Sequence, residues 1–448
     1  MQRRLDDLPL RVGGSANSDE SPAGGIGGGF VMSVTTQRRN FGWFLVALGF
    51  VVLGISFSGR ATLGMLMTTW ESELGWSRYF TSSVGASTLI IMALVAPVSG
   101  VLVDRLGPRL LLSFGTGALG SGLLLAGLST APWQLAVAFG LIGGVGFGIV
   151  AMHVVATAIA PSFDRQRGLA TGIATSGATA GQLLIVPALA VVIAAFGWRY
   201  GLMAAGLVSL AMVPVILWLT HGSTSSKDAV EPSSSIGSDL RKLFSNWTFH
   251  ALLWSFTICG FTTAGVIETH LLPYAAFCGF PPLPSASAYG VLSVVNFLGM
   301  IIAGHLSDKL PRVPLLAFIY LARAFTFILL IYVPFYDLQA LFLFAVLFGL
   351  FDYSTVPVTA NLVASHVGLR TMGLAMGIIS AGHASGAAIG AFAGGYIFDL
   401  LAQYTLLWSL SFVSAIVAAA LVLSIGKSRR PDDLPPPIAE LSEARQTQ

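Results

Sequence analysis

The chain contains little charge, since Asp, Glu, Lys and Arg make up only 10% of its 448 residues and the formal net charge is +3. A nucleic-acid-binding protein would concentrate basic residues in a patch, so nucleic acid is not an expected partner. The two cysteines, Cys259 and Cys278, are too few for a disulfide framework or a cysteine-based metal centre. We therefore predict no metal site, and the redox compartment stays open.

Enzymatic motifs are missing as well. The glycine run at 24–29 follows no predicted strand, which argues against a phosphate-binding loop. We find neither a zinc-protease motif nor a convincing set of nucleophile, base and orienting group. The sequence thus predicts neither an enzyme nor a cofactor.

Apolar residues are abundant: 55% of the chain is hydrophobic, and the mean hydropathy is +0.80. Stretches of about 20 apolar residues, long enough to cross a bilayer, recur between residues 41 and 425. We predict an all-α membrane protein with about twelve transmembrane helices in two pseudo-symmetric six-helix bundles. The predicted spans are 41–69, 78–103, 108–129, 132–158, 168–196, 199–220, 247–277, 286–307, 313–335, 338–365, 371–398 and 403–425.

Polar segments divide these spans into two halves. The predicted domains are a disordered tail (1–40), a first six-helix bundle (41–220), a polar linker (221–246), a second six-helix bundle (247–426) and a second disordered tail (427–448). The first 37 residues lack the apolar core of a signal peptide.

The distribution of lysine and arginine predicts the orientation. With both termini inside, 19 of the 23 basic residues lie on the cytoplasmic side, and only Arg78 and Arg199 lie outside. Arg60 and Arg323 fall within spans. This bias is what the positive-inside rule describes, so we predict a multi-pass protein of the cell membrane with cytoplasmic termini. We also expect the protein to function as a monomer.

Two patterns occur once in each half and indicate a duplication. GVLVDRLGPR (100–109) ends the second span, and GHLSDKLPR (304–312) ends the eighth. Glycines spaced along the fifth span, at 168, 172, 177 and 181, return in the eleventh at 373, 377, 382 and 386. Glycine at such spacing lets membrane helices approach each other closely.

The loop pattern predicts a conformational latch on the cytoplasmic side. Asp104 and Asp308 lie where one helix ends and the next begins, so each carboxylate is expected to interact with the positive N-terminal dipole of the following helix. The predicted latch residues are Gly100, Asp104, Arg105, Arg109, Gly304, Asp308 and Lys309.

The loop motif GxLxDRxGxR, its degenerate second copy and the six-plus-six topology resemble the major facilitator superfamily. GWSR (75–78) and FDRQRGLATGIATSGATAG (163–181) are similar to the monocarboxylate porter family, which includes the oxalate/formate exchangers. The resemblance implies two bundles that rock about a central site and expose it alternately to each side of the membrane.

Four ionisable residues lie inside apolar spans, where charge is costly and commonly functional: Arg60, Glu268, Arg323 and Asp352. Arginine keeps its proton, so Arg60 requires an anion, water or an acidic partner. We predict that it binds the carboxylate of a substrate. A structural pair with Glu268, or extension of the side chain to the outer interface, is the alternative.

Glu268 and His270 lie in the seventh span, the counterpart of the first. Glutamate and histidine can both carry a coupled proton, so we predict proton coupling at this pair and a substrate contact at His270. The alternative is a position near the end of the helix without a transport role.

His383 and Asn296 are further predicted substrate contacts. Alignment of GIISAGHASGAAIG (377–390) with the oxalate carrier puts His383 where that carrier has a substrate-binding lysine, although a packing hydrogen bond is the alternative. Animal monocarboxylate carriers have Asp and Arg four residues apart in the eighth helix, where this chain has Asn296 and Met300. Either Arg60 holds the anion instead, or the substrate is not a simple monocarboxylate.

Arg323 and Asp352 are on adjacent segments of the second half. The cheapest way to keep both charges in hydrocarbon is mutual neutralisation, so we predict a structural salt bridge. A role of Arg323 in binding the anion stays open.

Together these features predict a secondary carrier for a small organic anion, a monocarboxylate, coupled to protons. The alternatives are an anion exchanger or an efflux carrier for drugs or metabolites with the same fold. From another class, a transporter-like solute sensor would need a folded cytoplasmic domain, for which the linker and tails are short. The expected partners are the anion, the proton and the lipid bilayer.

Overall fold

Helices account for nearly all of the computed structural model, which describes residues 27–220, 235–333 and 337–426. Eleven continuous segments in these ranges are long and apolar enough to cross a membrane. One of them, Tyr79–Gly127, comprises two helices, because Gly107 leaves the helical conformation with φ 78° and ψ 165°. With that segment counted as two, the described residues contain the twelve predicted membrane helices.

The membrane helices are numbered here in chain order. Their bounds are α1 Gly27–Leu74, α2 78–106, α3 108–127, α4 Pro132–Ser162, α5 Arg167–Phe196, α6 Trp198–Leu219, α7 Trp247–Phe277, α8 Pro282–Lys309, α9 Arg312–Tyr332, α10 Leu338–His366, α11 Met372–Leu401 and α12 Thr405–Leu423.

The polar segments agree only in part with the predicted domain bounds. Helix α1 begins at Gly27, within the predicted tail 1–40. In the predicted linker, Ile236–Phe244 forms a short helix, whose N-terminus is capped by the Ser235 hydroxyl. The rest of both predicted tails and residues 221–234 of the linker lie outside the described residues.

Glycines of the repeat bring helices together within each half. A Cβ atom on Gly177 of α5 would collide with the Phe50 carbonyl of α1. The counterpart contact in the second half joins Gly386 of α11 to the Thr257 carbonyl of α7. Helices α1 and α5, and likewise α7 and α11, therefore pack at backbone distance, as small residues allow in membranes.

The N-terminal glycines of α5 and α11 instead contact the opposite half. A Cβ on Gly373 would collide with the Gly100 carbonyl of α2, and one on Gly168 would collide with the Gly304 carbonyl of α8. These contacts lie beside the connections α2–α3, α4–α5, α8–α9 and α10–α11. We call the surface formed by these four connections the basic face, because Arg105, Arg165, Lys309 and Arg370 lie within them or directly beside them. The two halves are thus closed against each other at the basic face.

Helices α4 and α10 are both interrupted near their midpoints. Helix α4 breaks at Val150 and Ala151, and α10 breaks at residues 352–354. The two breaks occupy similar positions of the repeat: the first begins two residues after Gly148, and the second begins three residues after its counterpart, Gly349. In addition, residues 261–267 of α7 form a π-helical segment immediately before Glu268. Such irregular backbone inside a membrane is tolerated where it is buried or lines a cavity.

Candidate functional site

A central cavity of about 500 Å³ lies between the two halves. It is bounded by α2 and α11 near Ala96 and Met376, and it extends toward the face opposite the basic face, past Gly85 and Ala391. Most of its lining is apolar. The polar and charged residues in the lining are Arg60, Thr88, His153, Glu268, Thr269, Tyr353, Ser380 and His383. A largely apolar cavity with a few convergent polar groups is the usual form of a small-molecule site.

Arg60 lines this cavity from α1. The side chain is half-buried, and its guanidinium lies 4.6 Å from the centre of the Phe57 ring, a cation–π contact. Among the described residues, no carboxylate is in ion-pair contact with it, so the alternative of a pair with Glu268 is not the arrangement observed. The positive charge is available to an anion in the cavity.

Glu268 lines the same cavity from α7, on the other half. Its side chain is exposed there, and Oε1 accepts a hydrogen bond of 2.7 Å from the Tyr353 hydroxyl. Helix α7 thus contributes a carboxylate that has access to the cavity and is connected to the break in α10.

His270, two residues further along α7, points away from the cavity. Its Nε2 lies 3.0 Å from the Ala391 carbonyl, and its ring packs against Gly394 and Tyr404. Residues two apart on a helix are separated by about 200° around its axis, so Glu268 and His270 cannot both face the cavity. His270 does not line the cavity in this structure, so its predicted substrate and proton-coupling roles stay predictions that this geometry does not support.

His383 lines the cavity from α11. Its ring centre is 5.0 Å from that of Phe256 and 6.4 Å from that of Tyr353. Its Nε2 is buried and has no hydrogen-bond partner among the described residues. A packing hydrogen bond through Nε2, the alternative to substrate contact, is therefore not observed.

Asn296 of α8 holds the break in α10. Its Oδ1 accepts a hydrogen bond of 3.1 Å from the Tyr353 N–H, and its Nδ2 donates one of 3.3 Å to Asp352 Oδ2. Asn296 is buried and contacts a second, much smaller cavity of about 20 Å³, described below. Its amide thus satisfies backbone and carboxylate groups that the interruption of the helix leaves free.

Arg323 of α9 differs in its contacts from the predicted salt bridge. The fully buried guanidinium donates to the Phe351 carbonyl at 2.6 Å, to the Asp352 carbonyl, and to Cys259 Sγ at 3.1 Å. The predicted partners are adjacent, but Arg323 binds the backbone of Asp352 and not its carboxylate. The reason is the break: it leaves carbonyl groups at the end of the first half of α10, where a cation is favourable. Arg323 lines neither of the two cavities described here, so an anion in the central cavity does not contact it in this structure.

His153 follows the break in α4 and also lines the cavity. Its Nε2 lies 3.0 Å from the Ser99 hydroxyl of α2. Sequence reasoning did not identify the two breaks, which place His153 and Tyr353 at the site. The only signal was the Phe-Gly pair, 147–148 and 348–349, that precedes both.

The latch aspartates bridge the two halves at the basic face. Asp308 accepts hydrogen bonds from the N–H groups of Gly168 (2.7 Å) and Leu169 (2.8 Å) at the start of α5. Asp104 accepts them from Gly373 and Leu374 at the start of α11, at 3.0 Å each. The expectation that each aspartate interacts with the following helix is therefore wrong. The free N–H groups nearest to each carboxylate belong to the other half, because the glycines of the repeat allow close approach.

The other predicted latch residues lie around these contacts. Gly100 and Gly304 form the backbone contacts between the halves, as described above. Arg105 and Lys309 are exposed, and Arg109 is half-buried. The basic side chains thus surround the closed interface, whereas the glycines form the backbone contacts across it.

Comparison with known proteins agrees with this architecture. The model of the Major Facilitator Superfamily matches residues 47–348. Monocarboxylate transporter 11 of Mus musculus is 27% identical over 61% of this chain, and the match spans only about three-fifths (61%) of that relative's own length. An uncharacterized transporter of the superfamily, YcxA of Bacillus subtilis, is 25% identical over 85% of this chain and 94% of its own. Monocarboxylate transporter 13 of Rattus norvegicus is 23% identical, covering 86% of this chain and 87% of its own.

Two solved structures share the fold. The fucose:proton symporter FucP of E. coli superposes with a TM-score of 0.64 at 16% identity, over 84% of this chain and 98% of its own. The proton:xylose symporter XylE gives a TM-score of 0.66 at 15% identity, over 89% and 98%. Helix count, the two-half repeat, the central cavity and the family match agree: the chain belongs to the Major Facilitator Superfamily and is a multi-pass membrane transporter that resembles the monocarboxylate porters.

Proposed function

We propose that the protein is a secondary carrier that moves a small organic anion, a monocarboxylate, together with a proton by alternating access. The observation that carries this proposal is Arg60, a permanently charged group that lines the central cavity and has no carboxylate in ion-pair contact among the described residues. An unpaired guanidinium in such a cavity is suited to a carboxylate, which it can bind through two parallel hydrogen bonds. The names of the relatives support the same substrate class.

The charges around the site support coupling to a proton. Arg60 and Arg323 supply two positive charges, and Glu268 and Asp352 supply two negative charges when both are ionised. A bound monocarboxylate would leave one uncompensated negative charge in a region of low dielectric, which is costly. Uptake of one proton restores neutrality. We propose Glu268, the acid exposed to the cavity, as the group that exchanges this proton with water.

His383 and Asn296 complete the proposed site in different ways. The ring of His383 forms part of the cavity wall, where it can contact the substrate, whereas the amide of Asn296 keeps the break in α10 in place. We propose that the basic face is cytoplasmic, following the positive-inside rule, so the observed state is closed toward the cytoplasm in the cell membrane. The protein needs no second copy for this cavity, and we propose that it acts as a monomer.

Uptake into proteoliposomes tests the proposal. Vesicles containing the purified protein should accumulate labelled L-lactate or benzoate when the outside is acidic, and accumulation should stop when the proton gradient is collapsed. Protein-free vesicles correct for diffusion of the free acids. Arg60→Ala should abolish uptake of both anions, while Arg199→Ala, a change at the start of α6 and outside the cavity lining, should not. Uptake that persists in Arg60→Ala, or that does not respond to the gradient, would contradict the proposal.

A further inference from the structure

The carboxylate of Asp352 is buried between the halves and takes no part in the anion site proposed above. Asp352 is only 3% exposed and lies at the break in α10. Oδ2 accepts the hydrogen bond from Asn296, but Oδ1 is buried and has no hydrogen-bond partner among the described residues. A buried oxygen without a partner is unusual and requires an explanation.

A small cavity lies next to Asp352. Its volume is about 20 Å³, and Arg60, Glu268, Asn296, Asp352 and Tyr353 are among the residues that line it. This volume exceeds the minimum of about 10–15 Å³ that one water molecule requires, and the polar lining supplies the hydrogen-bonding partners that such a water needs. Arg60, Glu268 and Tyr353 also line the central cavity, so the two spaces share one wall.

The groups around Asp352 favour alternation between a charged and a neutral carboxyl group. Arg323 of α9, bound to the Asp352 carbonyl, supports the charged form, as does Arg60 of α1. When Glu268 of α7 is ionised, its negative charge disfavours the ionisation of Asp352 at the same small cavity. The remaining titratable groups that face this region are Cys259 of α7, Tyr289 of α8 and Tyr353 of α10.

One hydrogen bond and the small cavity lie between the carboxylate of Asp352 and the central cavity. Glu268, exposed to that cavity, accepts the hydrogen bond of Tyr353 at 2.7 Å, and Tyr353 is the residue after Asp352. A water in the small cavity would contact both carboxyl groups. Proton transfer over such a route needs only small movements of a hydroxyl group and a water.

We propose that Asp352 is the group that holds the coupled proton while the carrier changes state; this inference rests on the proton symport proposed above. Glu268 receives a proton from cavity water and passes it, through the small cavity, to a lone pair of Asp352 Oδ1. Glu268 becomes a carboxylate again and Asp352 becomes neutral. When the cavity opens at the basic face, the Oδ1–H bond breaks, the proton passes to water there, and the nearby arginines again stabilise the carboxylate.

Infrared difference spectroscopy on the full-length protein tests the protonation directly and needs no substrate. Lowering the pH should produce the carbonyl-stretch band of a protonated carboxyl group. The band should disappear in Asp352→Asn and change position in Asp352→Glu, whereas Asp399→Asn, a change of an exposed acid near the end of α11, should leave it intact. An unchanged band in both Asp352 variants would overturn the proposal. If Asp352→Asn does not fold, the position of the band in Asp352→Glu still shows whether Asp352 is the group that becomes protonated.

Transport separates this inference from the proposed function. In proteoliposomes, Asp352→Asn should lose L-lactate accumulation driven by a proton gradient, by at least about tenfold, but should keep exchange of L-lactate across the membrane, because exchange needs no net release of the proton. Asp352→Glu should restore part of the accumulation. If L-lactate uptake by the wild-type protein does not depend on the proton gradient, the proton symport itself is refuted. Gradient-driven uptake that survives in Asp352→Asn would refute only the role of Asp352.

Discussion

Replacement of Asp308 by alanine should shift the carrier toward the state that is open at the basic face. Asp308 of α8 accepts hydrogen bonds from two backbone N–H groups at the start of α5, Gly168 and Leu169, and a third of 3.3 Å from the Asn361 side chain. The first two cross from one half of the protein to the other. Only the closed state can form them, so their loss penalises that state alone.

The size of the shift follows from these two bonds. A hydrogen bond to a charged group contributes about 1.5–3 kcal/mol, so two would contribute about 3–6 kcal/mol if fully buried. Asp308 is only half-buried, and water replaces part of the interaction when the face opens. We expect a net loss of about 2–3 kcal/mol, which corresponds to a change of about 30- to 150-fold in the ratio of closed to open states.

Hydrogen exchange followed by mass spectrometry measures this ratio on the unlabelled protein. The informative peptide is the start of α11, residues 373–376, because its own contact with Asp104 is intact in Asp308→Ala. Separation of the halves exposes this segment too, so its exchange should accelerate by a similar factor. Asp164→Asn, a change of an exposed acid on the same face, is the matched control and should leave exchange unchanged.

The result that would refute this reasoning is a local one. If Asp308→Ala accelerates exchange only at residues 168–169 and not at residues 373–376, the carboxylate merely caps α5 and does not hold the halves together. The effect of Asp104→Ala is expected to be smaller, because Asp104 is more exposed and its bonds are longer.

Three further predictions concern packing and the residues of α7 and α9. Arg323→Met should lower the free energy of unfolding by about 3–5 kcal/mol, measured as a fall in thermal midpoint, because it leaves the Phe351 and Asp352 carbonyls without their buried donor. Gly100→Val should raise exchange at residues 373–376 as Asp308→Ala does, since its side chain collides with the Gly373 carbonyl; Gly64→Val, where the space is open, is the control. His270→Gln should leave gradient-driven L-lactate uptake unchanged, because the His270 ring points away from the cavity. A loss of coupling in this variant would show that His270 faces the cavity in another state of the carrier.

The fold could be predicted from the sequence because its determinants are local. Apolar length defines each span, and one glycine, Gly107, separates α2 from α3 where the loop motif indicates a turn. The repeated motif around Asp104 and Asp308 also identified the residues that join the halves. Their true partners were missed, because contacts between residues 140 and 269 positions apart, such as Gly168 with Asp308 and Gly373 with Asp104, depend on how the halves pack.

The site was predictable only in part. Arg60 and Glu268 were identified because charge inside an apolar span is costly, and both line the cavity. Helical periodicity alone indicates that Glu268 and His270 cannot both face the cavity, but which of them does so depends on how the helices pack. The breaks in α4 and α10 contain neither proline nor glycine, so nothing local indicated that Arg323 would bind backbone carbonyls instead of the Asp352 carboxylate.

The central claim is that one proton enters with each monocarboxylate, because the charges of Arg60, Arg323, Glu268 and Asp352 balance only then. The most direct test records, in the same proteoliposomes, the uptake of labelled L-lactate and the change of internal pH reported by a trapped dye, with protein-free vesicles subtracted. The account predicts that one proton enters with each lactate, and that Arg60→Ala abolishes the uptake of both. Lactate uptake without any accompanying proton would contradict it.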